Sequence, residues 1–275
     1  MYTLASFASN FTIQHRLQTI IGPWNAAPGR TNGEWEVRIE FLSCTSSNRQ
    51  VLTRVSSGGF MGDLIINGGN VGLDVGNQQF TVRNVTITGS NVGVKMIWDW
   101  GWTFQGITIR DANVGFDVKT GSNINDADQG VGGVAIMDGI ISDTPIFYRS
   151  SQPSTNLQGS IVLNNIKLTN VQSAVAVLNG ETILQGSEGE TTVDTWIQGN
   201  VYVGRGSRGY HKGGTWSVPK DPSLLENGRM FGKGRPTYAD YDISQIVSVK
   251  DEGARGDGRT DDTVALQAVF DKVSP

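Results

Sequence analysis

Asn-Val-Gly occurs at 70–72, 91–93 and 113–115, in steps of 21 and 22 residues. Each copy is a Gly/Asn corner between two short apolar-alternating runs, over 64–75, 85–96 and 107–118. A unit of this length and pattern reads as one turn of a solenoid, with equivalent residues of successive turns stacked on each other. The expected architecture is all-β, a right-handed parallel β-helix. Val71, Val92 and Val114 are expected to stack inside it. Asp74, Lys95 and Asp117 share one repeat position and are expected to form an alternating-charge ladder outside. A fourth turn runs from Val134 to Tyr148. A fifth, over 166–177, aligns with the third without a gap, with Ser173 in place of the corner valine. The Gly/Asn/Asp-rich stretch over 120–132 reads as a loop leaving the stack, and 149–158 reads as another.

Composition narrows the function classes. The chain has 36 glycines and 17% charged residues, typical of a globular rather than a disordered protein. Net charge is −4, with Lys and Arg scattered, so nucleic acid is not an expected partner. No apolar run reaches about 18 residues, so no membrane partner is expected either. The first ten residues lack a basic start and an apolar core, so no signal peptide is read. Cys44 is the single cysteine and cannot form an internal disulfide.

The flanks differ from the repeat. Residues 1–55 are irregular and are expected to be poorly ordered, with one strand over 34–42. The expected first β-helix domain spans 56–212 and ends in short strands at 182–184, 196–198 and 201–203. A Pro/Gly-rich linker follows over 213–246. Residues 247–275 then open a second domain: a strand at 247–249, a tight loop over 253–258, and a helix over 264–273. Asp261, Asp262 and Thr263 suit its cap, with Val264, Leu266, Val269, Phe270 and Val273 available for burial.

Two stretches carry a resemblance. Ser57-Gly58-Gly59-Phe60-Met61-Gly62-Asp63-Leu64, with 76–84 and Trp98-Asp99-Trp100-Gly101-Trp102-Thr103-Phe104, closely resembles fungal glycoside hydrolase family 55, the exo-β-1,3-glucanases. Residues 253–263 resemble the entry motif of pectate-lyase-like β-helix domains, which that family carries twice. The likeness runs from about residue 56 to the C-terminus; residues 1–50 are not expected to match. It implies two tandem β-helices with a cleft between them, an extracellular setting, and release of glucose from β-1,3-glucan ends with inversion. The family's catalytic acid is a glutamate of the second β-helix, so it is expected outside this chain. No cofactor or metal is implied. The rival reading is a non-catalytic glucan-binding or structural β-helix module.

Trp98, Trp100 and Trp102 alternate and are expected to share one face. They suit sugar stacking, packing between turns of the solenoid, or packing against a second domain. Gln79-Phe80 and Thr103-Phe104 are 24 residues apart, so Gln79 and Thr103 are expected on adjacent turns. There they would hold the attacking water of an inverting hydrolase, or simply form a polar ladder. Glu188, Glu190 and Asp194 are placed in a solvated loop, with acid/base work as the alternative. Residues 204–209 fit G-x-G-x-x-G but lack the helix a nucleotide site needs. Asp257, Asp261 and Asp262 match no calcium loop. His15 and His211 are too isolated for a zinc site or a triad.

Overall fold

The computed structural model describes residues 43–45, 51–53, 59–120, 130–151, 159–204, 207–232 and 241–273. The strand expected at 34–42, the ordering of the N-terminal segment and His15 lie outside them. The chain divides into two compact units, Met1–Met230 and Phe231–Pro275.

Among the described residues the first unit is built almost wholly of strands, and those up to residue 177 stack in parallel. After β1 (Ser43–Thr45) and β2 (Val51–Thr53) come β3 (Gly59–Asn67), β4 (Val71–Thr88) and β5 (Val92–Arg110). The next rungs are built from β6 (Val114–Val118), β7 (Gly133–Met137), β8 (Ile140–Ser142), β9 (Ile146–Ser150) and β10 (Ser160–Val177). Val71 pairs with Val92, Val92 with Val114, Val114 with Ile146, and Ile146 with Ser173. The fifth rung therefore falls where the ungapped alignment places it.

Two columns of left-handed residues set the corners. One is Asp63, Asn84, Gly106, Asp138 and Asn165, with φ of 57°, 50°, 70°, 54° and 55°. The other is Gly68, Gly89, Asp111, Asp143 and Asn170, with φ of 75°, 71°, 53°, 50° and 54°. The second column lies five residues after the first on every rung. Gly, Asn and Asp are the residues that adopt this conformation at least cost, which is why they recur there. The side chains also bond between rungs: Asn84 Nδ2 donates to Asp63 Oδ1 at 2.6 Å, Asn165 to Asp138 at 2.6 Å and Asn170 to Asp143 at 2.8 Å.

Each residue of Asn-Val-Gly has its own physical cause. Asn91 Nδ2 donates to Asn70 Oδ1 at 3.0 Å, and Asn113 Nδ2 to Asn91 Oδ1 at 2.6 Å. The three valines are buried, but in a small cluster of their own with Ile146 rather than in the main core where they were expected. Their column lies just past the second corner. A Cβ on Gly72, Gly93 or Gly115 would come within 2.6–2.7 Å of the next rung's carbonyl, so close stacking requires glycine.

The main core runs along the stack as columns of like residues, such as Ile66, Ile87, Ile109, Ile141 and Leu168. An aromatic string threads it. Phe80 stacks on Trp102 with centroids 4.8 Å apart, Phe104 meets Phe116 edge-on at 5.0 Å, and Phe116 stacks on Tyr148 at 6.4 Å.

The charge ladder has the expected register, with Asp74 opposite Lys95, Lys95 opposite Asp117 and Asp117 opposite Arg149. Arg149 Nη2 lies 2.9 Å from Asp117 Oδ2. The ladder is not wholly outside, however: Asp74, on the rung that pairs with β2, is buried.

Polarity reverses at the end of the stack. The three short strands expected between 182 and 203 are one strand, β11 (Thr182–Val203), antiparallel to β10. β12 (Ser207–Thr215) pairs antiparallel on β11, so residue 204 leads into a strand and not a helix. The first part of the expected linker is fixed to this unit. Trp216 N donates to Thr195 O at 2.9 Å, Arg229 Nη2 to Asp138 O at 3.0 Å, and Met230 N to Asp138 Oδ2 at 3.1 Å.

In the second unit, residues 247–249 form no strand. α1 (Thr263–Val273) starts as expected, with Thr263 N donating to Asp261 Oδ1 at 3.0 Å. The Asp262 carboxylate instead holds the preceding loop, through Arg255 N and Gly256 N at 2.9 and 2.7 Å. Of the apolar residues expected to be buried, Val269 is; Val264, Leu266 and Phe270 are exposed. No helix among the described residues is long and apolar enough to cross a membrane.

Candidate functional site

The three tryptophans do not share one face. Trp102 points into the core, where its Nε1 donates to Asn77 O at 3.0 Å. Trp100 is 60% exposed, and Trp98 is intermediate. The cause is a corner in β5. The pairing offset changes from 21 residues at Val75–Met96 to 22 at Asn77–Asp99, and Asp99, not Trp98, turns inward. The corner therefore offers Trp100, with Trp98 beside it in sequence, as the aromatic surface a sugar ring can meet.

Gln79 and Thr103 are not opposite each other. Gln79 pairs with Gly101, and Thr103 with Thr81, because the offset here is 22 and not 24 residues. Gln79 is exposed and Thr103 half-buried, two positions apart in register on neighbouring rungs.

Asp99 is the residue that sequence reasoning passed over. Its Oδ1 accepts from Gly132 N at 2.8 Å and Gly133 N at 3.1 Å, at the start of β7. Its Oδ2 is buried with no hydrogen-bond partner among the described residues, and so are Tyr148 Oη, Gln198 Oε1, Tyr210 Oη and His211 Nε2. Burial pushes the Asp99 carboxyl up to about 7, against the pull of the two backbone N–H groups. Burial, and then the Asp99 charge, push the Tyr148 phenol well above its ordinary range. Burial also raises Tyr210, to about 12. The visible signal was the one carboxylate of β5, set between two tryptophans.

Glu188, Glu190 and Asp194 lie on β11 rather than in a loop, because that strand continues through them along β10. Asp194 pairs with Lys220. Glu190 is opposite Thr169, and Glu188 lines an open groove. His211 packs edge-on against Trp216 at 6.1 Å. Asp257 and Asp261 accept hydrogen bonds from nearby loop groups, including Thr260 N and Thr263 N, which holds both carboxyls below their usual range.

Residues 8–117 match the sequence model of the rhamnogalacturonase A/epimerase, pectate lyase-like family. That match begins well before residue 50, so the N-terminal segment expected to stand apart is largely within it. The chain is 38% identical over 249 residues to a glucan 1,3-beta-glucosidase of Cochliobolus carbonum, covering 89% of this chain and 31% of that protein. It is 28% identical to a probable glucan endo-1,3-beta-glucosidase of Arthroderma benhamiae, over 79% of this chain and 35% of that one. A non-secreted LysM effector, LysM19 of Penicillium expansum, is 33% identical over 84% of this chain and 19% of its own length. The chain thus spans about a third or less of the curated relatives it matches. Its parallel stacked strands and these matches make it similar to pectate-lyase-like proteins and to fungal glucan 1,3-β-glucosidases.

Proposed function

We propose that the chain is a glucan-holding, right-handed β-helical part of a β-1,3-glucanase-like hydrolase that acts by inversion, outside the cell. The right-handed sense rests on a general rule: parallel crossover connections are right-handed in about 98% of cases. The observation that carries the functional reading is the 38% identity to a glucan 1,3-beta-glucosidase over 249 residues. Trp100, 60% exposed at the β5 corner, supplies a sugar-stacking surface beside Trp98. Trp102 supports that corner from the core. Gln79 and Thr103 lie two register positions apart, and each offers a polar group that can orient water through a bridge.

The catalytic acid is assigned outside residues 1–275. Asp99 and Asp117 are engaged in holding the fold, and Glu188 and Glu190 lie on an exposed strand. The test is glucose release from laminarin by the purified chain, with binding measured alongside. Binding without glucose release is the expected result. Dose-dependent release would move the acid onto this chain, with Glu188 and Glu190 the first to substitute.

A second reading, a non-catalytic module, draws support from the 33% identity to a LysM effector. It differs in one readout. A longer chain that also includes the remainder of the protein would bind laminarin and still release no glucose.

A further inference from the structure

At the far end of the stack, β10 and β11 enclose an open groove of about 560 Å³, away from the tryptophan corner. Its polar lining is Asn170, Gln172, Gln185, Ser187 and Glu188, and Pro145 forms the apolar wall. Small-molecule sites occupy roughly 300–1,000 Å³, so the volume suits a short ligand.

A bulge shapes the groove. Thr169 pairs with Glu190 but Val171 with Ser187, so three residues of β11 advance against two of β10. Such an insertion bends a strand and re-aims its side chains. Gly189 N donates to Ser187 Oγ at 3.1 Å inside the bulge. Gly186 lets the strands close up, because a Cβ there would sit 1.8 Å from Val171 O. The floor is therefore bare backbone, with carboxamides on both sides.

The lining also continues a surface row. Asn70, Asn91 and Asn113 stack amide on amide, all exposed. The next rung has Pro145 and the one after it Gln172, each two residues past the left-handed corner. Proline has no amide side chain, so the ladder stops and Gln172 starts afresh at the groove. Asn170 Nδ2 is engaged by Asp143, which leaves Asn170 Oδ1 as an acceptor.

The chemistry selects a ligand class. Among the described residues no Lys, Arg or His lines the groove, so it is not built for phosphate, uronate or another anion. One proline is too little apolar wall for a lipid or an aromatic. Carboxamides that donate and accept, a hydroxyl and one carboxylate match the hydroxyls of an uncharged sugar. We propose that this groove is a second saccharide-binding site, specific for neutral oligosaccharides and separate from the Trp100 corner. It rests on the glucan-binding reading only for the choice of probe.

The experiment titrates laminarihexaose into the full chain and two variants, Gln172→Ala/Gln185→Ala and Trp100→Ala, by calorimetry. Both glutamines are exposed, so the melting temperature should stay put and confirm folding. Loss of two or more hydrogen bonds should weaken the groove component by about tenfold or more. The Trp100→Ala variant should retain that component. Wild-type affinity and stoichiometry in the glutamine variant would overturn the groove, as would loss of all binding on Trp100→Ala alone. Loss confined to the glutamine variant, with Trp100→Ala unchanged, would leave the groove standing and remove the tryptophan surface. Chitohexaose and trigalacturonate form the comparison arms. Chitohexaose binding lost in the glutamine variant extends the site to other neutral sugars, whereas tighter groove binding of trigalacturonate than of laminarihexaose refutes the neutral-ligand assignment.

Discussion

Asp99 holds Gly132 with one carboxylate oxygen, at 2.8 Å, while its other oxygen is buried without a hydrogen-bond partner among the described residues. Ionised, the group is tethered on one side and poorly solvated on the other. Protonated, it keeps the tether and loses the buried charge.

This arrangement gives a signed pH dependence. The carboxyl ionises at about 7 in the folded chain, against an ordinary value of 3.8. Between those values the folded state holds a proton that the unfolded state has released. The contribution is fully present below pH 3.8 and is lost as pH rises toward and through 7. The upper bound is about 4 kcal/mol, at 1.36 kcal/mol per pKa unit. Asp99→Asn keeps an acceptor for Gly132 N and carries no charge, so it should be more stable than wild type at pH 8. Urea titrations from pH 4 to 8 check this; parallel curves for the two proteins would refute the burial argument.

Trp102 and Trp100 should separate stability from binding. Trp102→Ala removes a core ring stacked on Phe80 and should cost about 3–5 kcal/mol. Trp100→Ala, at an exposed position, should change stability by about 0.5 kcal/mol or less and weaken laminarin binding. Thermal melts paired with affinity electrophoresis on laminarin distinguish the two.

Asn84 sits at φ 50° and bonds to Asp63. Alanine there should cost about 1–2 kcal/mol from the left-handed backbone, before the lost hydrogen bond is counted. Asn84→Gly should be milder, because it loses the bond without the backbone penalty. Equilibrium unfolding of both variants measures the difference, and equal losses would show that the bond rather than the conformation matters.

Arg149 is half of a partly exposed pair with Asp117. Arg149→Ala should cost about 1 kcal/mol or less, since Asp117 keeps Lys95 as its register neighbour. At 1 M salt, where the Debye length is about 3 Å, the difference from wild type should shrink. Melting temperatures at low and high salt test it.

The stacking was legible wherever repeat positions have a local cause. Asn-Val-Gly marks an amide ladder, a small apolar cluster and a backbone approach too close for a Cβ, so its period reports the rung length directly. The loops expected over 120–132 and 149–158 could be set aside because the corner residues Asp111, Asp143 and Asn170 keep their places around them, although Arg149 and Ser150 belong to β9. The site was less legible. Alternation predicts a shared face for Trp98, Trp100 and Trp102 only while the strand stays straight, and the β5 corner turns Asp99 inward between them. Gln79 and Thr103 were paired on matching Phe80 and Phe104, but the register follows the rung spacing and sets Phe80 on Trp102. β11 was invisible as one strand because Ser187, Glu188, Gly189 and Glu190 have little strand propensity; pairing with β10 overrides it.

The reversal of polarity at β11 bears on how the molecule behaves in a crowd. From β3 to β10 each rung is a mould for the next, with the same direction, corner residues and side-chain columns. Nothing within such a repeat specifies where it ends, and a second molecule presenting a like rung would fit as well as the chain's own. β11 breaks the mould: it runs backward, shifts register at Thr169/Val171 and again at Ser173/Val175, and carries no corner column forward. Beyond it β12 offers Gly209, Lys212, Gly213 and Gly214, a poor edge for further pairing. The strand that looks least like its neighbours is what keeps a fibre-like pattern from growing past a single molecule at that end.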